Sequence, residues 1–210
     1  MNENQLREQI AMIGKSLYER GLAHGSAGNI SVKLADGWLM TPTNSCLGRL
    51  DPARISQLDA DGSLIAGDPP SKEAFLHIAV YQERAASGAV VHLHSAHAVA
   101  VSCMDGLNPR NVFPPITAYA VMQVGRLALV PYHPPGDPSL AEAVRKLAGR
   151  HHALLLANHG PVVAGSSLDA AAGAIEELEQ TARLMLLLRG HPVRFLTAEQ
   201  VTELERRFAG

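Results

Sequence analysis

The sequence predicts an α/β protein with a single domain over residues 1–210. Apolar residues at helical spacing alternate along the chain with short apolar runs of strand length. Hydrophobic residues make up 47% of the 210 residues, which suits one sizeable core, and no repeat or long linker divides the chain. The apolar run 152–157 leads directly into Asn158-His159. Polar groups at a strand end are typical of parallel sheets, so this run by itself favours a parallel sheet.

The predicted elements follow one another with short connections. Apolar residues three and four positions apart, with capping residues before them, predict helices at 6–21, 71–84, 96–104, 139–150, 168–188 and 197–208. Alternating or continuous apolar runs predict strands or hairpins at 30–34, 38–40, 50–67, 88–94, 121–130, 152–159 and 161–164. Ser71 is the expected N-cap of the second helix.

Composition excludes several classes of function. The net charge is −2 and the pI is about 6.5, so neither nucleic acid nor an anionic membrane is an expected partner. Cys46 and Cys103 are two isolated thiols, which fits a reducing compartment. The first residues lack the pattern of a signal peptide, and no uncharged apolar run is long enough to span a bilayer. We therefore expect a cytoplasmic protein.

His92 and His94 form the strongest chemical signal. Alternate residues of a strand face the same way with Cα atoms about 6.5–7 Å apart, so both imidazoles can bind one cation. Catalytic zinc sites use three protein ligands and an open position, and His159 is the best-placed third ligand. With ten histidines in the chain, about 0.5 His-x-His pairs are expected by chance. The alternative interpretation is therefore a half-exposed strand that carries two histidines without binding a metal. The spare ligand candidates are His97, His133, His151 and His152.

Two polar segments suit an anion. The segment 24–31 contains two glycines and small polar residues before a strand, which would let backbone N–H groups approach a phosphate, although a tight turn needs the same residues. Ser71 and Lys72 stand at a predicted helix start, where the free N–H groups favour negative charge. Glu73 in that first turn is either a carboxylate favoured by the helix dipole or, if the fold brings it to His92, a functional acid.

Together these motifs resemble the class II aldolase/adducin family, in order and in approximate spacing over about residues 5–190. The motifs are Gly28-Asn29, Thr41-Pro42-Thr43, Ser71-x-Glu73, His92-x-His94 and Asn158-His159-Gly160. The resemblance implies a three-layer α/β/α sandwich around a central, mostly antiparallel sheet, which replaces the parallel sheet inferred above. It also implies a homotetramer with sites at subunit interfaces.

The resemblance assigns roles to particular residues. It implies one divalent ion per chain, Zn²⁺, bound by His92, His94, His159 and, without substrate, Glu73. Glu73 is then the acid/base, and Tyr119 matches a tyrosine that reaches the site of a neighbouring subunit. The implied phosphate site consists of Gly28, Asn29, Thr43, Asn44, Ser71 and Lys72.

Departures from the family pattern indicate a branch. The sugar-phosphate aldolases have Gly in place of Asn44 and Ser in place of Lys72, and the pentulose-phosphate epimerases have Asp in place of Glu73. The strings 41–50 and 131–138 look most like the 3-oxo-tetronate 4-phosphate decarboxylases. The resemblance thus implies metal-dependent decarboxylation of a phosphorylated four-carbon sugar acid to dihydroxyacetone phosphate and CO₂, through a metal-stabilised enediolate. The alternatives are a ketose 1-phosphate aldolase and, outside catalysis, an adducin-like interaction module.

Overall fold

The computed structural model describes residues 1–134 and 136–208, so Pro135 in the connection 131–138 lies outside the described residues. The described strands are β1 Asn29–Leu34, β2 Gly37–Met40, β3 Ser56–Leu58, β4 Leu64–Ala66, β5 Ala89–His92, β6 Ala128–Val130, β7 Ala153–Leu156 and β8 Gly160–Gly165. The described α-helices are α1 Glu3–Glu19, α2 Ala74–Glu83, α3 Ala96–Ser102, α4 Ser139–Ala148, α5 Leu168–Leu187 and α6 Ala198–Phe208. None of these helices is both long and apolar enough to cross a membrane.

The strands form one sheet in the order β4-β3-β2-β1-β5-β8-β7-β6. Among the strands that the structure describes, the β6–β7 pair is parallel and the other six pairs are antiparallel. The mostly antiparallel sheet is therefore confirmed, and the parallel sheet inferred from the 152–159 run alone is wrong. The physical reason is the short turn that contains His159, because so few residues can join β7 to β8 only as antiparallel neighbours.

Helices cover both faces of this sheet. Alternate residues of β5 enter different cores: Val91 packs into the cluster that contains α1, α3 and α5, and Val90 into the cluster that contains α2 and α4. β7 behaves in the same way, with Leu155 on the first side and Leu154 on the second. His92 has the same parity as Val90, and its side chain therefore faces the α2 layer.

Two predicted elements differ from the structure. The second helix begins at Ala74, so Ser71 is not its N-cap; residues 71–73 form a turn, in which the N–H of Ala74 donates to the carbonyl of Ser71. This turn is held by another bond, from the N–H of Ser71 to the carbonyl of Thr41. The segment 121–130, predicted as strand with a turn at Gly125-Arg126, is a strand only at its end, because Ala120–Val124 forms a π-helical turn that Gly125 ends at φ 62°.

Candidate metal centre

Three chain segments converge where β5 ends. His92 is the last residue of β5, is fully buried, and stands opposite Asn29 of β1 in the strand register. His94 follows two residues later, and His159 lies in the turn between β7 and β8. Glu73 precedes the first turn of α2 and faces this strand end. The fold thus brings together the four residues that the sequence predicts as ligands.

The ligand atoms of these residues lie within 4.8 Å of one another. The Nε2 atom of His94 is 3.0 Å from Nε2 of His92 and 3.0 Å from Nε2 of His159. The Glu73 oxygens are 3.5 Å from Nε2 of His92 and 3.2 Å from Nε2 of His159. Tetrahedral zinc with nitrogen ligands at about 2.0–2.1 Å places its ligand atoms about 3.3–3.4 Å apart. The observed separations are close to that value.

The protonation of His92 also suits a cation. Its Nδ1 donates to the carbonyl oxygen of Pro161 at 2.8 Å, so the proton sits on Nδ1 and Nε2 presents a lone pair to the cluster. Burial lowers the pKa of His92 to about 4 and also lowers the pKa of His94, which keeps both rings neutral at pH 7. Neutral nitrogen lone pairs that converge with a carboxylate form a donor set suited to a divalent metal.

Glu73 remains ionised beside these rings. Burial by itself would raise the pKa of its carboxyl group, but a hydrogen bond from His159, the nearby His92 ring and a 2.7 Å hydrogen bond from the amide of Asn29 hold that pKa well below its usual range. A carboxylate that accepts from several donors is both charged and fixed in orientation. Glu73 can therefore bind a cation or receive a proton at a defined place.

The spare histidines lie outside this four-residue cluster in the described part of the chain. Each makes a local contact that accounts for it: His97 with the Glu179 carboxylate, His133 with the Ser139 hydroxyl, and His151 and His152 with the backbone carbonyls of Arg126 and Gln123. None of these rings joins the four-residue cluster among the residues that the structure describes. The structure thus places His159, the third ligand that the sequence predicts, beside His92 and His94.

A cleft of about 820 Å³ opens over the cluster and contains all of the predicted phosphate-site residues. Those residues are Gly28, Asn29, Thr43, Asn44, Ser71 and Lys72, and the same cleft is lined by Glu73, His94 and His159. Gly28 has φ 85°, and a Cβ there would lie 3.0 Å from the carbonyl oxygen of His92. Only glycine lets the chain approach the strand end so closely.

Two asparagines of the cleft have left-handed backbone conformations. Asn44 has φ 56° and Asn158 has φ 54°, a region that few residues other than Gly and Asn adopt. The position of Asn44 is thus one where Gly and Asn are the natural choices. The segment with Asn44 is held against the 69–71 segment by a 2.9 Å bond from the Thr43 N–H to the Pro69 carbonyl.

Tyr119 does not line this cleft in one chain. Its side chain is 61% exposed and precedes the π-helical turn. Its predicted role in a neighbouring subunit's site stays a prediction.

The sequence reasoning missed other residues of the site. Tyr132 lines the cleft beside the spare candidate His133, and His77 lies buried behind Asn29, with its Nε2 2.6 Å from the amide oxygen. The spacing Glu73-x₃-His77 is only a weak signal in the sequence, because Glu73 precedes α2 and the role of His77 depends on its contact with Asn29.

Comparison with known proteins places the chain in a family. Residues 8–186 match the family described as Class II Aldolase and Adducin N-terminal domain. The 3-oxo-tetronate 4-phosphate decarboxylase of Escherichia coli K12 is 51% identical over 203 residues, 96% of each chain. The L-fuculose phosphate aldolase of the same strain is 32% identical over 212 residues, 99% of this chain and 96% of the aldolase. The crystal structure of YgbL from Klebsiella pneumoniae superposes with a TM-score of 0.95 at 51% identity, covering 97% of this chain and 99% of that one. With the cluster of three histidines and a glutamate at the end of β5, these matches show that the chain belongs to the class II aldolase and adducin family.

Proposed function

We propose that this protein is a 3-oxo-tetronate 4-phosphate decarboxylase. The observation that carries the proposal is the 51% identity to the decarboxylase, which extends over almost the whole chain and exceeds the 32% identity to the aldolase. The cluster of Glu73 with three histidines, open to a cleft of about 820 Å³, supplies what the chemistry requires.

The substrate's own structure defines the reaction. Its carboxylate is β to a ketone, so cleavage of the bond to the carboxylate carbon releases CO₂ and leaves the electron pair as an enediolate. Protonation of the carbon that lost CO₂ gives dihydroxyacetone phosphate. Glu73, which accepts a hydrogen bond from Asn29, would take up a proton from water at Oε1 and deliver it to that carbon, while the loop with Gly28 and the turn with Ser71 and Lys72 would bind the phosphate.

A divalent cation completes the proposed site, bound by His92, His94 and His159, with Glu73 as a further ligand before substrate binds. It supplies Lewis-acid stabilisation of the negative charge that develops beside the ketone. Imidazole-rich sites suit zinc among the available metals, and we propose Zn²⁺, one ion per chain.

Metal content tests this site and the adducin-like alternative together. Purified protein should contain about one equivalent of metal per chain, and His92→Ala should lose both metal and activity. His97→Ala is the matched control, because its ring contacts Glu179 outside the cluster, and it should keep the metal. Wild-type protein that binds no divalent metal would favour an interaction module instead.

Lys72 and Asn44 bear on the choice between decarboxylase and aldolase. Both line the cleft, and Lys72 adds a positive charge that would favour a substrate with a carboxylate as well as a phosphate. Lys72→Ser should therefore reduce turnover of the keto acid more than turnover of any ketose 1-phosphate.

Product analysis decides the reaction. Incubation with 3-oxo-tetronate 4-phosphate should release CO₂ and dihydroxyacetone phosphate in equal amounts, faster than the spontaneous loss in a reaction without enzyme. If the protein instead cleaves a ketose 1-phosphate such as L-fuculose 1-phosphate efficiently and leaves the keto acid to its spontaneous decay, the function is that of an aldolase.

Assembly and location complete the proposal. We propose a cytoplasmic, single-domain subunit of a homotetramer, in which Tyr119 enters a neighbour's cleft. The 61% exposure of the Tyr119 side chain in one chain supports this assembly, because a second subunit could bury it.

A further inference from the structure

Four buried polar side chains form a chain of hydrogen bonds behind the cleft, ending at Glu73. We call Tyr81, Ser31, His77 and Asn29 the polar chain. Two regular spacings create it: Asn29 and Ser31 are two apart on β1 and share one face of the sheet, and His77 and Tyr81 are four apart on α2 and share one face of the helix. Each residue of the polar chain is at most 4% exposed.

Short distances connect the members in order. The Tyr81 hydroxyl is 2.9 Å from Oγ of Ser31, which is 2.7 Å from Nδ1 of His77. Nε2 of His77 is 2.6 Å from Oδ1 of Asn29, and Nδ2 of Asn29 is 2.7 Å from Oε2 of Glu73. These side chains thus connect the core between α2 and β1 to the carboxylate.

The chemistry at Glu73 fixes the direction of every bond. An ionised carboxylate only accepts, so the amide nitrogen of Asn29 must donate to it and the amide oxygen must face His77. That oxygen needs a donor, which requires the proton on Nε2 of His77. Nδ1 then accepts from the Ser31 hydroxyl, and Ser31 accepts from the Tyr81 hydroxyl. All four bonds donate toward Glu73.

Burial keeps this arrangement in place. It lowers the pKa of His77 to about 3, aided by the nearby His92, and it raises the pKa of Tyr81 above its usual value. Both side chains are therefore neutral, and hydrogen bonds aligned in one direction strengthen one another in a low-dielectric interior. Apolar residues could pack α2 on β1 without desolvating four polar groups, so packing alone does not explain the polar chain.

We propose that His77 is a positioning residue, which holds the Asn29 amide in the single orientation that donates to Oε2 of Glu73. Oε2 is thereby held by Asn29, and Oε1, which lies 3.2 Å from Nε2 of His159, is the oxygen that would exchange the substrate proton. The effect of His77 on kcat rests on the proposed function, whereas its effect on the orientation of the Asn29 amide does not. Among the described residues, His77 makes its side-chain hydrogen bonds to Ser31 and Asn29 and not to the four residues of the cluster.

Two matched variants separate positioning from packing. In His77→Gln the amide nitrogen can occupy the place of Nε2 and still donate to Asn29, whereas in His77→Asn the shorter side chain cannot reach it. We expect His77→Asn to lose about 10–100-fold in kcat with little change in KM, the usual cost of removing such a supporting partner. His77→Gln should keep kcat close to wild type. Equal kcat values for the two variants would overturn the proposal.

A spectroscopic measurement tests the same proposal without substrate or metal. ¹⁵N NMR of metal-free protein labelled at histidine should show His77 as the neutral tautomer with its proton on Nε2. A proton on Nδ1 would overturn the proposal. If wild-type protein does not decarboxylate the keto acid, the proposed function fails, while the tautomer still decides the role of His77.

Ser31→Ala keeps the test available if His77→Asn does not fold. It removes one hydroxyl and leaves Nδ1 of His77 without its donor, so kcat should fall while KM and metal content stay unchanged. A Ser31→Ala protein with wild-type kcat would count against the polar chain.

Discussion

Glu73 has two oxygens with different neighbours. Oε2 accepts from Asn29 at 2.7 Å, and Oε1 lies 3.2 Å from Nε2 of His159 at the cleft. Glu73→Gln keeps the size of the side chain and removes its ability to exchange a proton. We expect steady-state turnover to fall by roughly 10²–10⁴, with metal content and fold retained.

Glu83→Gln is the control for that measurement, because Glu83 is an exposed carboxylate at the other end of α2. It should leave turnover unchanged. Near-normal turnover of Glu73→Gln would assign proton transfer to Tyr119 or to water.

At the scale of single residues, the sequence predicts the parts of the site that have a recognisable spacing. His92-x-His94 predicts a pair of ligands because alternate residues of a strand face the same way, although β5 ends at His92 and His94 lies just beyond it. The sequence could not show the tautomer of His92, because that depends on the carbonyl of Pro161, 69 residues away. His77 was missed for a related reason: a histidine inside an apolar helix face becomes informative only when Asn29 and Ser31 are known to face it.

The β7–β8 turn is the element that places His159, and its packing depends on Gly160. A Cβ on Gly160 would lie 2.3 Å from the carbonyl oxygen of Leu93, so the turn and the end of β5 could not both keep their places. Gly160→Ala should lower the free energy of unfolding by about 1–3 kcal/mol, as overpacking does. It should also weaken metal binding, because Leu93 adjoins His94. Urea denaturation and metal titration measure the two effects.

Gly173→Ala provides the contrast within the same protein. Gly173 lies inside α5, and the nearest atom to an added Cβ is 4.0 Å away. Helix propensity then predicts a gain of up to about 1 kcal/mol. If Gly160→Ala is as stable as wild type and binds metal equally well, close packing at Gly160 does not position the ligand turn.

At the scale of elements, local patterns predict most helices and strands but not their partners. The 152–159 run predicts a strand, but the direction of that strand relative to its neighbours depends on the turn at His159 and on β6, which lie outside the apolar run. The sequence predicts too early a start for α2, because Ser71 has the chemistry of an N-cap while its backbone N–H is bound by the carbonyl of Thr41. In both cases a contact distant in sequence overrides a local preference.

For the whole molecule, buried neutral histidines make stability depend on pH. The pKa of His77 is about 3 and that of His92 about 4 in the folded protein, against about 6.5 in an unfolded chain. Below pH 6.5 the unfolded state therefore binds more protons, and stability is lost as the pH falls toward 4. Each such group changes the free energy of unfolding by up to about 1.4 kcal/mol per pH unit.

Urea unfolding of metal-free protein between pH 7.5 and pH 4.5 should show this loss of stability. The free energy of unfolding of His77→Gln should depend less steeply on pH. Equal pH dependence in the two proteins would show that folding does not lower the pKa of His77.

Subunit mixing tests whether the whole assembly, rather than one chain, forms the site. Glu73 lies in the cleft, whereas Tyr119 is exposed outside it, so in a homotetramer with shared sites the two residues of one site come from different chains. Glu73→Gln and Tyr119→Phe proteins should each be nearly inactive. When they are unfolded together in equal amounts and refolded, random assembly should restore about one intact site in four. The measurement is decarboxylase activity of the mixture relative to wild-type protein refolded in the same way. Refolding each variant alone should restore nothing. If the mixture is no more active than the two variants separately, Tyr119 acts within its own chain or has no part in the reaction, and the shared site is wrong.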